Sequence, residues 1–175
     1  MKRSAKKSLV VLSLLAPFSL IGNAEAHVLL ENKKAEAGAH YKAVFQVGHG
    51  CHGSATKQVI VTIPAGVVGV KPKPKAGWKI DTDKSPLAQP YTMHGKPVTE
   101  TVTQVRWSGG PLADSDYDEF ILMAKLPEKA GPLYWQVSQV CDQGRMDWIE
   151  VPADGKKSSD YEMPAPGMEI LPKKQ

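Results

Sequence analysis

A chain of 175 residues and 19.0 kDa, with 42% hydrophobic and 23% charged residues, is long enough for one packed domain and too apolar to be disordered throughout. Its 14 Pro and 15 Gly favour a turn-rich fold over a helical bundle. The net charge of +4 is concentrated at the start: Lys2, Arg3, Lys6 and Lys7 against Glu25 give the first 26 residues +3, and the remainder, with 18 cations and 17 anions, leaves little for the basic patch a nucleic-acid binder needs.

The chain opens with the basic stretch MKRSAKK, followed by 13 largely apolar residues from Leu9 to Ile21 and by Ala24-Glu25-Ala26, a small-x-small triplet. This order predicts a secretory signal peptide over residues 1–26, cleaved after Ala26. A membrane anchor is the weaker reading, because 13 residues rise only about 20 Å as a helix against a bilayer core of ~30 Å. No later apolar run approaches that length, so the mature chain is expected to be soluble, without a transmembrane segment, and periplasmic or secreted from a bacterium. Cleavage would make His27 the first residue. An N-terminal His offers the α-amine and the imidazole Nδ1, which close a six-membered chelate ring, and both nitrogens shed protons near neutral pH. Copper(II) heads the divalent affinity order and suits such ligands. The plain alternative is a His that follows the cleavage site by chance.

The rest reads as strands. Val28-Leu29-Leu30 opens a short one, and Ala37-Gly38 turns the chain. Residues 40–47 (HYKAVFQV) alternate, with Tyr41, Ala43, Phe45 and Val47 on one face. Residues 56–63 (TKQVIVTI) follow, then 67–70, the turn-prone KPKPKAG, and a resumption at Trp78. Residues 82–97 are polar and Pro-rich, a long loop or a hairpin. Residues 98–107 alternate again until Ser108-Gly109-Gly110-Pro111, and strands over 117–126, 133–140 and 146–151 complete the set. Strands at this spacing with turn signals between them predict an all-β, antiparallel β-sandwich over residues 27–155. Residues 156–175 read as an extended, partly mobile tail along the sandwich.

Two cysteines, Cys51 and Cys141, in an exported chain point to a disulfide. The hairpin through Gly38 should bring the loop GHGCHGSA, residues 48–55, to the same end as His27, and Cys141 sits at the tip of another hairpin. The rival is a metal site, since His49 and His52 flank Cys51, although the spacing fits no standard zinc motif.

Several short segments, in order, carry a resemblance to a known family: His27-Val28-Leu29, Ala37-Gly38, Ile63-Pro64-Ala65-Gly66-Val67, Lys75-Ala76-Gly77-Trp78, Val105-Arg106-Trp107-Ser108-Gly109-Gly110, Gln139-Val140-Cys141-Asp142-Gln143-Gly144 with Trp148 beyond it, and Pro164-Ala165-Pro166. Together they resemble the YcnI-like copper-binding domain of exported bacterial proteins, in its proteobacterial branch. The resemblance implies an immunoglobulin-like sandwich binding Cu(II) through one N-terminal His, a mono-histidine brace, with a carboxylate and a tryptophan beside the metal. His27 carries over directly and Trp148 matches the tryptophan, with core packing as its alternative role. Glu150, two residues from Trp148 on the same strand face, is the first choice of carboxylate, against an exposed strand residue, and Glu162 is the alternative. Trp78 and Trp107 are expected in the core.

Three function classes follow. The first is a non-enzymatic module that scavenges, stores or traffics periplasmic copper, in exchange with other periplasmic or membrane copper-handling proteins. The second is a β-sandwich for adhesion or assembly, without metal or with one other than copper. The third is an oxidative copper enzyme, which would need a second His ligand from His40, His49, His52 or His94, none of which has a demanding context. No hydrolase triad, paired carboxylates or Gly-rich phosphate loop stands out, and the scattered methionines do not form a Cu(I) carrier's cluster.

Overall fold

The computed structural model describes residues 27–93 and 95–174; the expected signal peptide over residues 1–26 and His94 lie outside the described residues. The chain is almost entirely strand and forms two facing sheets with a small third sheet beside them. The first sheet holds β1 (Leu29–Leu30), β3 (His40–Val47), β8 (Asp118–Lys125) and β5 (Val68–Pro72), in the order β1-β3-β8-β5. The second holds β4 (Thr56–Thr62), β6 (Trp78–Met93), β7 (Lys96–Leu112), β10 (Gln136–Cys141) and β11 (Arg145–Trp148), in the order β11-β10-β4-β7-β6. All pairings in both are antiparallel.

Side-chain alternation explains the layers. In β3 the predicted face, Tyr41, Ala43, Phe45 and Val47, is buried, and so are Phe120, Leu122 and Ala124 of β8 beside it. From the opposite sheet Val59, Val61, Val105, Trp107, Val137 and Trp148 meet them. Aromatic rings interlock across the gap: Trp107 lies edge-on to Phe120 at 5.7 Å, and Trp78 at 4.9 Å. Such edge-to-face pairs add packing specificity beyond the buried area. Trp135, which the periodicity left inside one continuous strand, is fully buried and meets Phe45 edge-on at 5.6 Å. It splits that segment into β9 (Gly131–Tyr134) and β10, which belong to different sheets.

Two expectations need correction. Residues 156–175 are not simply a tail, because β12 (Gly167–Leu171) is the middle strand of the third sheet. It pairs parallel to β2 (Lys34–Glu36) and antiparallel to β9, and it buries Met168 and Ile170. The short alternation GMEIL was hidden among prolines, and only its two partners make it a strand. At Ser108-Gly109-Gly110-Pro111 the strand does not break either: β7 runs to Leu112 and pairs with β6, whose residues 82–93 form a hairpin arm rather than a loop.

Candidate metal centre

His27 stands two residues before β1, an edge strand of the first sheet, and Trp148 ends β11, an edge strand of the second. The two edges meet, so the His27 ring lies 5.1 Å from the Trp148 indole at a 60° tilt. Trp148 is only 3% exposed, so it is both a core residue and the floor under His27. His27 also lines an open groove of about 470 Å³ walled by Leu29, Tyr134, Pro164, Pro166 and Met168.

The loop after β3 arrives at the same corner. Leu29 pairs with Gln46, so two further steps of the antiparallel ladder set His27 opposite Gly48. His49 follows, and its ring meets Trp148 edge-on at 6.5 Å. His49 Nδ1 donates to the Gly50 carbonyl at 2.5 Å, and the His49 carbonyl accepts from Gln139 Nε2 at 2.6 Å. Cys51 and Cys141, 90 positions apart, form a disulfide that ties this loop to the end of β10. The disulfide overturns the Cys–His metal alternative, since neither sulfur is left as a thiolate. His52 is exposed at φ +50° on the tip of its turn. His40 opens β3 opposite Lys125, at the far end of an eight-residue strand and so about 23 Å from Val47, beyond which His49 lies.

The carboxylates lie less directly. β11 stops at Trp148, and Ile149 N donates to the Asp147 carbonyl at 3.0 Å in a tight turn that ends the alternation. Glu150 is therefore not carried on along the Trp148 face. It pairs instead with the tail: its Oε2 accepts from Met163 N at 2.6 Å, its amide donates to the Met163 carbonyl, and its carbonyl accepts from Ala165 N. Glu162 is exposed next to that contact. Asp147 points to the outer face, where Ser138 Oγ donates at 2.5 Å and Arg145 Nε at 2.7 Å. Burial pushes its carboxyl up, but those hydrogen bonds and the Arg145 charge together hold it below the usual range. Among the described residues no three His, Cys, Asp or Glu are grouped to hold a metal ion, so a copper site here needs donors beyond carboxylate and imidazole side chains. The α-amine that the expected cleavage after Ala26 would leave on His27 would be a donor of that kind, and it would suit Cu(II).

A family model described as "Domain of unknown function (DUF1775)" matches residues 27–170. The chain belongs to the DUF1775 family. This is the domain of the YcnI-like family, and its match runs through β12. The DUF1775 chain is also similar to a solved structure, the crystal structure of an uncharacterized protein from Nocardia farcinica, which is described as revealing an immunoglobulin-like fold. The identity is 20%, the match covers 83% of this chain and 98% of that one, and the TM-score is 0.63. The fold is thus an immunoglobulin-like antiparallel sandwich. No curated protein matches. No helix among the described residues is long and apolar enough to cross a membrane.

The sequence pointed to His27, Trp148 and the disulfide, and these do come together. It missed the role of Gln139, although the inward parity of Val137, Gln139 and Cys141 on β10 marked a polar side chain facing the core.

Proposed function

We propose that this DUF1775 protein binds Cu(II) at the N-terminus exposed by removal of residues 1–26, as an exported module that scavenges, stores or hands over copper. The observation that carries the reading is the His27 ring over the buried Trp148 indole, at 5.1 Å. The family match beginning at His27 supports the same boundary. The α-amine and Nδ1 would chelate the ion, the indole would shield one side from water, and the adjoining groove leaves room for a partner to approach. Bound copper supplies redox and Lewis-acid chemistry, but nothing here assigns this chain a reaction. Glu150, or Glu162 in its place, is the carboxylate proposed to balance the charge of the metal.

The test is Cu(II) titration of protein exported from the full-length precursor, followed by electron paramagnetic resonance. Tight 1:1 binding is expected. It should be lost in His27→Ala and nearly lost when one Gly is retained before His27. Glu150→Gln should weaken binding if that carboxylate contributes; an effect of Glu162→Gln alone would move the assignment. Full affinity in His27→Ala would overturn the reading.

A further inference from the structure

We propose that His49 is a second imidazole ligand, so that copper at this site is held by the His27 α-amine, His27 Nδ1 and His49 Nε2. The proposal rests on the reading of His27 as the copper anchor and departs from a brace with a single histidine. Both rings pack on the same indole, His27 at 5.1 Å and His49 at 6.5 Å, and the ladder between β1 and β3 directs the two backbones to the same corner.

The His49 loop is built to hold that ring. Gln139 Nε2, buried in the core, donates to the His49 carbonyl at 2.6 Å and to Thr56 Oγ1 at 2.7 Å. Gly50 N donates to Asp114 Oδ1 at 2.9 Å, and a Cβ on Gly50 would stand 1.9 Å from the Ser54 carbonyl oxygen, so only glycine fits. The disulfide pins the next residue. A loop histidine with no task does not need its backbone fixed from the core, from a neighbouring loop and by a covalent bond.

The tautomer also fits. Since a carbonyl can only accept, the 2.5 Å contact with Gly50 puts a proton on His49 Nδ1, so in the neutral ring Nε2 is the nitrogen that can bind a metal. Metal-bound histidines commonly donate their other ring N–H to a backbone carbonyl in this way. Gln139 Oε1, an acceptor buried beside this loop, has no hydrogen-bond partner among the described residues, as is found where a water or an ion completes a site. Three nitrogens and one oxygen would fill the tetragonal set that Cu(II) prefers.

Pulsed electron paramagnetic resonance of the Cu(II)-loaded exported protein counts coordinated imidazoles through their remote nitrogens. Two are expected in the wild type and one in His49→Gln, with copper affinity lowered at least tenfold. Wild-type protein showing a single imidazole would overturn the proposal, and that count does not depend on any variant folding. An unchanged count and affinity in a folded His49→Gln would do the same while leaving the His27 reading intact. Loss of the His27→Ala effect would overturn the His27 reading itself and this proposal with it.

Discussion

Trp148 joins the core to the candidate centre, and its two faces of duty predict different outcomes on substitution. The indole is 3% exposed, belongs to the hydrophobic core and pairs across the ladder with Val137, so Trp148→Ala should cost about 3–5 kcal/mol of stability in denaturant unfolding. Trp148→Phe keeps most of the packing. Since the His27 ring lies 5.1 Å from this indole, bound Cu(II) should quench Trp148 fluorescence most. Trp148→Phe is expected to remove the larger part of the copper-induced quenching; an undiminished signal would place the metal elsewhere. A second residue sets an alkaline limit. Burial, and secondarily the charge of Glu31, pushes the Tyr41 phenol up from 10.0 to about 12, and its hydroxyl donates to the Asn32 carbonyl. The folded chain therefore keeps a proton that the unfolded chain releases near pH 10. The stability from this group is complete below pH 10 and declines as the pH climbs toward 12. Thermal melts should fall over that window, and less steeply in Tyr41→Phe.

The loop of residues 48–55 and the end of β10 act as a unit. The disulfide closes a loop of 90 residues, which on the disputed chain-entropy model contributes about 4–5 kcal/mol. The Cys51→Ser, Cys141→Ser double variant should unfold at correspondingly lower denaturant, and it should also loosen His49, which the bond anchors two residues away. Gly50→Ala is predicted to be nearly as damaging. Its new methyl would collide with the Ser54 backbone, where Cys51 and Ser54 exchange two hydrogen bonds, a cost at or above the upper end of the about 1–3 kcal/mol typical of overpacking. A Gly50→Ala variant with wild-type stability would mean that the turn relaxes freely. Beyond the loop, the tight turn at Trp148 explains why Glu150 escaped a pattern argument. Two-residue parity holds only while the strand continues, and β11 ends two residues before Glu150.

At the scale of the molecule, the third sheet makes the C-terminal residues part of the domain. Truncation after Pro166 removes β12, leaving β2 and β9 without the strand between them and Ala37 without its bond to the Leu171 carbonyl. The truncated protein is expected to melt well below the full chain, or to aggregate through its exposed edges; an unchanged melt would show the third sheet to be dispensable. Much of the architecture was legible in one dimension. The alternation of β3 depends on side chains pointing to opposite faces, a local property, so the all-β class, the inward face of β3 and the turn at Ala37-Gly38 followed from the amino-acid order. The cysteine pairing followed too, because two cysteines allow a single intramolecular bridge. Other features depend on partners far along the chain. GMEIL is a strand only because β2 and β9 flank it, and Trp135 switches the chain between sheets where it packs edge-on against Phe45 in the core. Likewise His49 is brought to Trp148 across 99 sequence positions by two sheet edges, a disulfide and Gln139. Local periodicity determined which residues face inward; which of them meet was decided by packing, because contact between distant segments is a property of the closed sandwich and of no segment alone.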